Sequence, residues 1–457
     1  MQKVLILIFV LSFLTINVAA QVANPQTTPT VRPRVIYVPS AISAGQTSGT
    51  PQPAPTATPN PYVTIVPSAS PGFPTPSPNP IVRPAQPVPS AVTTPGTLLP
   101  SLPSAPPPAP SYPMPKAMLT LGQFRNRLME AKRLLQTRPV TTAMVDDKNN
   151  LLDSAVTIAL LDPKTNSLQT VSLSKETFLT LYQESPALTS LGKIVRVRTI
   201  RANGVNTAVV VTDENSQSLV PLVVQYPVER AGKFYEMAYY VSAHPALTSS
   251  ETALAGQLYI RTTLETALTN LRQRGKFILP AVAAEAEKLC IVEHVDHQRF
   301  LTENRAALYN EIFTLFALNE GNTYRYAVST AGAGGLVQMI PSTYRMVRSA
   351  HPDVPLMPDF VEGMRNHVNA MQAMLLYMQD TYGDLIANET ISGALSDGTA
   401  TDGELMAAGY NSNPARLPLY LRRSSANWRT LIPRETQMYL QIQSSIESTV
   451  APLSPIK

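Results

Sequence analysis

Apolar positions follow two periods along this chain, one near 3.6 and one near 2. Leu121, Phe124, Leu128, Ala131 and Leu135 recur at threes and fours, which predicts a helix from Leu119 to Thr137, with Thr120 and Gln123 placed as a capping box. Strand-like runs follow at Ala155 to Leu161 and Leu168 to Leu173, joined by the turn-forming Asp162-Pro163-Lys164-Thr165-Asn166. Ser174 suits the N-cap of a short helix reaching about Gln183. Lys193 to Ala202 and Val205 to Thr212 flank Asn203-Gly204, a dipeptide suited to the positive φ angles of a two-residue hairpin turn. Further strands fit Leu219 to Tyr226 and Phe234 to Val241. A long helix from about Ser250 to Arg274 follows, with Leu254, Leu258, Ile260, Leu264, Leu268 and Leu271 expected on one side.

Beyond it the pattern is helical. Leu308, Ile312, Leu315 and Phe316 form one apolar face of a helix that Gly321 is expected to stop. Helices also fit Pro341 to Ala350, Val361 to Tyr382, a short segment after Thr401 capped with Glu404, and Arg434 to Ile446. Asn388 to Gly403 reads as a loop, a candidate lid, and the Arg- and Leu-rich stretch from Asn413 to Trp428 as a candidate cleft wall. The expected fold class is α+β multidomain. An α+β accessory domain with a mainly antiparallel sheet spans 116–277, and a mostly α domain spans 278–457.

Composition changes the picture only at the N-terminus. Lys3, an apolar run from Val4 to Leu14 and the Val18-Ala19-Ala20 ending make residues 1–20 a secretory signal, too short in its apolar run for a spanning helix. Residues 21–115 hold most of the 43 prolines and no Asp or Glu, so they are expected to be a disordered, polyproline-like tether. Tyr37, Tyr62 and Phe73 are its only candidate docking points. The expected location is the periplasm or cell envelope, with the extracellular space an open alternative, and with no stable membrane span in the mature form. Cys290 is the only cysteine, so no intrachain disulfide can form. The net charge of +5 is too small and dispersed to argue for nucleic acid, although it favours anionic wall polymers. Arg196, Arg198 and Arg201 cluster on one predicted strand, where a solvated face is the plainer reading. An envelope or cell-wall protein is the candidate partner of the accessory domain. His294 and His297 stand at i, i+3 beside Glu293 and Asp296; without a third ligand the expectation is a polar helix surface or a structural contact, and no metal or cofactor.

Candidate chemistry concentrates between Asn319 and Pro341. Glu320 stands at a helix end, where the negative end of the dipole disfavours its ionised form and any burial would raise its pKa further. A glycine-rich turn and a short apolar run follow. Glu320, Ser329 and Gly332-Ala333-Gly334-Gly335-Leu336-Val337-Gln338-Met339-Ile340-Pro341 resemble the first catalytic motif of the soluble lytic transglycosylases, a lysozyme-like family. Tyr410-Asn411 resembles the family's Tyr-Asn-x-Gly motif, and Pro433-x-Glu435-Thr436-x-x-Tyr439 its closing motif. The resemblance covers roughly 280–448, and three motifs in order are far more specific than one. Gly321 departs from the usual serine, Val337 from methionine and Asn413 from glycine; asparagine tolerates a left-handed turn better than most residues.

The resemblance implies that Glu320 acts first as acid and then as base. The sugar's own C6 hydroxyl would cleave the glycan between N-acetylmuramic acid and N-acetylglucosamine, leaving a 1,6-anhydromuramic end. Ser329, Gly335, Gln338, Met339, Tyr410, Asn411 and Tyr439 are the expected substrate-binding positions. Gln338 and Asn411 carry amides suited to sugar N-acetyl and hydroxyl groups, Tyr410 and Tyr439 offer ring faces and hydroxyls, and the glycines would let backbone approach the glycan. Two alternatives stay open. One is a true hydrolase with Asp397, Asp402 or Glu404 as second carboxylate; the other is a non-catalytic wall-binding protein on the same fold.

Overall fold

The computed structural model describes residues 119–137 and 155–453, apart from positions 231 and 243. The expected signal and tether lie outside the described residues, as do Tyr37, Tyr62 and Phe73. The described residues combine an antiparallel sheet, curled into a half-barrel, with many helices.

Helix α1 (Leu121–Thr137) starts at the expected capping box: the Gln123 amide N–H donates to Thr120 Oγ1 at 3.3 Å, and the Thr120 amide N–H donates to Gln123 Oε1 at 2.8 Å. The sheet contains β1 (Ala155–Asp162), β2 (Ser167–Ser174), β3 (Glu184–Leu188), β4 (Ile194–Arg201), β5 (Ala208–Asp213), β6 (Ser218–Arg230) and β7 (Lys233–Tyr240). All pairings are antiparallel, in the order β2-β1-β6-β5-β4-β3, with β7 on β6. A bridge between Val171, in the middle of β2, and Thr189, just past β3, brings the two edge strands together and curls the sheet. Ser174 caps a helix α2 (Lys175–Leu179) that is shorter than expected. The chain then becomes β3, with Pro186 tolerated on an edge strand.

The Asn203-Gly204 hairpin differs from expectation. Asn203 has φ −155°, Gly204 has φ 50°, and a 3-10 turn from Gly204 to Asn206 replaces the two-residue turn. Val205 is buried inside that turn, so burial of an apolar side chain overrode the local dipeptide preference.

Strand β1 is buried almost throughout because both sheet faces are covered. Val156, Ile158 and Leu160 face the main core, whereas Ala159 and Leu161 pack with Phe124, Leu128, Ala131 and Leu135 of α1. Helix α3 (Ser250–Gln273) opens with a capping box at Ser249 and Thr252. It buries Ile260, Leu264, Leu268 and Leu271 but leaves Leu254 and Leu258 about half exposed, contrary to the single apolar side expected.

Next come α4 (Pro280–Val292), α5 (His297–Thr302) and α6 (Arg305–Asn319). Then follow α7 (Pro341–Ala350), α8 (Phe360–Arg365), α9 (His367–Ile386), α10 (Glu389–Ser396), α11 (Asp402–Asn411), α12 (Leu417–Arg423), α13 (Trp428–Leu431) and α14 (Arg434–Thr449). The helix expected over 361–382 is broken at Asn366, which caps α9. The expected loop over 388–403 contains α10, capped by Asn388 and held by buried Ile391 and Ala394. The main core runs without interruption from the sheet through α3 into these helices, across position 277.

Candidate active site

The glycine-rich turn after α6 is stabilised largely by its own backbone. Ser329 and Ala333 exchange hydrogen bonds: the Ser329 amide N–H donates to the Ala333 carbonyl at 2.8 Å, and the Ala333 amide N–H donates to Ser329 Oγ at 3.0 Å. Gly332 and Gly335 have φ of 79° and 67°, conformations that favour glycine. At Gly335 a Cβ would lie 2.4 Å from the Met364 carbonyl oxygen. The close backbone approach predicted for a glycan is therefore made to α8. Leu336, Val337 and Met339 are buried. Gln338 is half-buried with φ 46°, and its amide Nε2 donates to the Gly335 carbonyl at 2.8 Å, bracing the turn.

The three sequence motifs meet. Tyr410, at the end of α11, donates from Oη to the Val337 carbonyl at 2.6 Å. Its neighbour Asn411 accepts at Oδ1 from Thr436 Oγ1 of α14 at 2.8 Å. Tyr439, on the next turn of α14, is buried and donates from Oη to Glu293 Oε1 at 2.7 Å. Beside Tyr410, with Tyr377 edge-on to it at 5.8 Å, an apolar depression is lined by Met378, Thr381, Tyr382 and Met406.

Glu293 is the group that sequence reasoning passed over as chemistry. It ends α4 directly after the buried run Leu289-Cys290-Ile291-Val292, and a carboxyl following so apolar a run was the available signal. Burial pushes its pKa up to about 8; the Tyr439 hydrogen bond works against that rise and the charge of Glu435 with it. Burial and the nearby Glu293 hold the hydroxyls of Tyr410 and Tyr439 well above the ordinary tyrosine range. Glu293 and Tyr439 are thus paired by a hydrogen bond, and Tyr410 bonds the glycine-turn segment at Val337.

Glu320 is placed differently from the expectation. The helix turns at Glu320 itself, with φ 40° and ψ −121°, one residue before the glycine expected to stop it. Its side chain is 56% exposed, and Arg125 Nη2 of α1 donates to its Oε1 at 3.1 Å. Gly321 lies in a 3-10 turn. Asn413 has φ −75° and caps the next turn by accepting from the Ala415 amide N–H at 3.1 Å, so no left-handed conformation is needed there.

His294 lies in the turn between α4 and α5, which breaks the helical i, i+3 relation with His297. Its Nε2 meets the Leu336 carbonyl at 2.8 Å and its ring stacks on Tyr324, while burial pulls its pKa down to about 3. No group of three or more His, Cys, Asp or Glu suited to a metal occurs among the described residues. The carboxylates considered for a hydrolase have other partners. Asp402 accepts from Tyr382 Oη at 2.6 Å, Glu404 pairs with both nitrogens of the Arg429 fork, and Asp397 accepts from the Thr399 amide N–H at 2.8 Å.

No protein-family model, curated protein or solved structure matches this chain.

Proposed function

We propose that this chain is an exported lytic transglycosylase that cleaves peptidoglycan glycan strands, with Glu320 as the acid and base. Breaking a glycosidic bond passes through an oxocarbenium-like transition state, and the leaving oxygen takes a proton as the bond breaks. Glu320 donates that proton, then accepts one from the C6 hydroxyl of the same sugar as it closes on C1. Water is not consumed, and a 1,6-anhydro end results. The observation that supports this reading is the meeting of three motifs far apart in sequence: Tyr410 bonds Val337, and Asn411 bonds Thr436. Independent surface motifs would have no reason to hydrogen-bond one another in this order.

The test incubates the full chain with purified peptidoglycan sacculi and identifies released muropeptides by mass spectrometry. Anhydromuropeptides are expected from wild type, and Glu320→Gln should lower their release by about 10²–10⁴-fold, the contribution of a general acid. Reducing ends in place of anhydro ends would make the protein a hydrolase. The contact between Glu320 and Arg125 favours one further reading, a wall-binding protein without catalysis. That reading predicts retention on sacculi with no release from either form.

A further inference from the structure

We infer that Arg125 is a positioning residue that holds the Glu320 carboxyl against α1, so that α1 restrains the site; this inference rests on the role proposed for Glu320. Two independent observations carry it. The first is the contact itself: Arg125 Nη2 lies 3.1 Å from Glu320 Oε1, and the two residues come from elements 195 positions apart. A carboxyl oxygen engaged by a guanidinium is not presented to a leaving oxygen. The second is the backbone. Glu320 occupies φ 40°, ψ −121°, a region that L side chains with a Cβ rarely adopt and that persists only when surrounding contacts over-determine it.

Those contacts are identifiable. Helix α1 is seated by Phe124, Leu128, Ala131 and Leu135, and Leu318, two residues before Glu320, packs against the same cluster. Both ends of α1 are tied as well: the Leu121 amide N–H donates to Glu251 Oε2 at 3.1 Å, and Gln225 Nε2 donates to the Leu135 carbonyl at 3.3 Å. Arg125 therefore approaches Glu320 from a fixed platform. Asn319 is equally fixed, since its side chain exchanges two hydrogen bonds with the backbone of Val241. Release of the guanidinium frees the carboxyl to take another orientation on the same backbone anchor.

The pair is about half exposed on both sides, and an exposed ion pair contributes little, so the restraint is modest and its removal does not threaten folding. Full-length wild type, Arg125→Ala, Arg125→Lys and Glu320→Gln are compared for initial rates of muropeptide release from sacculi over a range of substrate amounts. Arg125→Ala is expected to raise kcat about two- to fivefold, the range set by an exposed pair, with KM nearly unchanged and Tm within a degree or two of wild type. Arg125→Lys, which keeps the charge but not the planar fork, should fall between them. An inactive Glu320→Gln together with an Arg125→Ala rate equal to or below wild type would overturn the restraint while leaving the acid in place. Full activity of Glu320→Gln would instead remove Glu320 as the acid. Silence of every form would remove both.

Discussion

Tyr439 and Glu293 are 146 positions apart and share a 2.7 Å hydrogen bond, and burial of that carboxyl sets up a titration that stability should report. The Glu293 carboxyl has a folded-state pKa raised by burial to about 8, above its unfolded value near 4.5. The stability linked to its proton is fully present below about pH 4.5 and is lost as pH rises through 8. Wild-type Tm should therefore fall between pH 5 and 8.5. Glu293→Gln, which cannot ionise, should flatten that slope when melting is followed by circular dichroism; an unchanged slope would mean that the carboxyl is ionised in the fold. Glu320 was legible as a helix-end acid because helix termination leaves local marks. Its partner Arg125 was not, because nothing in the spacing of α1 says which of its exposed faces meets another element. Met339 illustrates the converse: its motif position was visible, but its burial depends on α8 and the core around it.

At the scale of elements, the crossing of α3 and α6 sets the geometry around Glu320. Gly256 has no room for a side chain, since a Cβ there would lie 1.9 Å from the Phe313 carbonyl oxygen, and the two helices touch backbone to backbone. Gly256→Ala should cost about 3 kcal/mol, the upper range for overpacking, seen as a lower denaturant midpoint at unchanged m. The same crossing explains Leu254 and Leu258. Close contact at Gly256 turns α3 so that its buried face runs through Ile260, Leu264 and Leu268, and the two earlier leucines are left in solvent. Periodicity gave the helix; it could not give the rotation about its axis, which a glycine contact decided. Helix α10 was missed for a different reason. Its Gly, Ser and Thr content reads as loop, and two buried side chains with an Asn cap suffice to make it helical once α9 and α12 flank it.

Over the whole molecule, the sheet and the helices are tied by charge as well as by the core. Arg201 of β4 and Arg299 of α5 both pair with Glu311 of α6, and Arg299 also pairs with Glu303. Burial alone would push the Glu311 pKa up, but the two arginines outweigh it and hold it below the usual range. The stability that Glu311 contributes is present above its unfolded pKa and lost as pH falls through the lower folded one, the opposite sense to Glu293. Glu311→Gln should cost about 2–3 kcal/mol in urea unfolding at pH 7, and the cost should shrink as pH falls through the lowered folded pKa, where wild type loses the charge as well. Arg201 was expected to belong to a solvated strand face; it is an anchor between sheet and helices instead. Periods, caps and most turns, hence the antiparallel sheet, the helical second half and the order of the three motifs, were legible locally, because these depend on residues within a few positions of one another. Packing between distant segments settled that β2 and β3 curl together, that Tyr410 and Asn411 join the motif segments, that Glu293 is buried against Tyr439 and that Arg125 reaches Glu320. Burial and desolvation are properties of what packs on a residue from distant parts of the chain, and no local pattern encodes them.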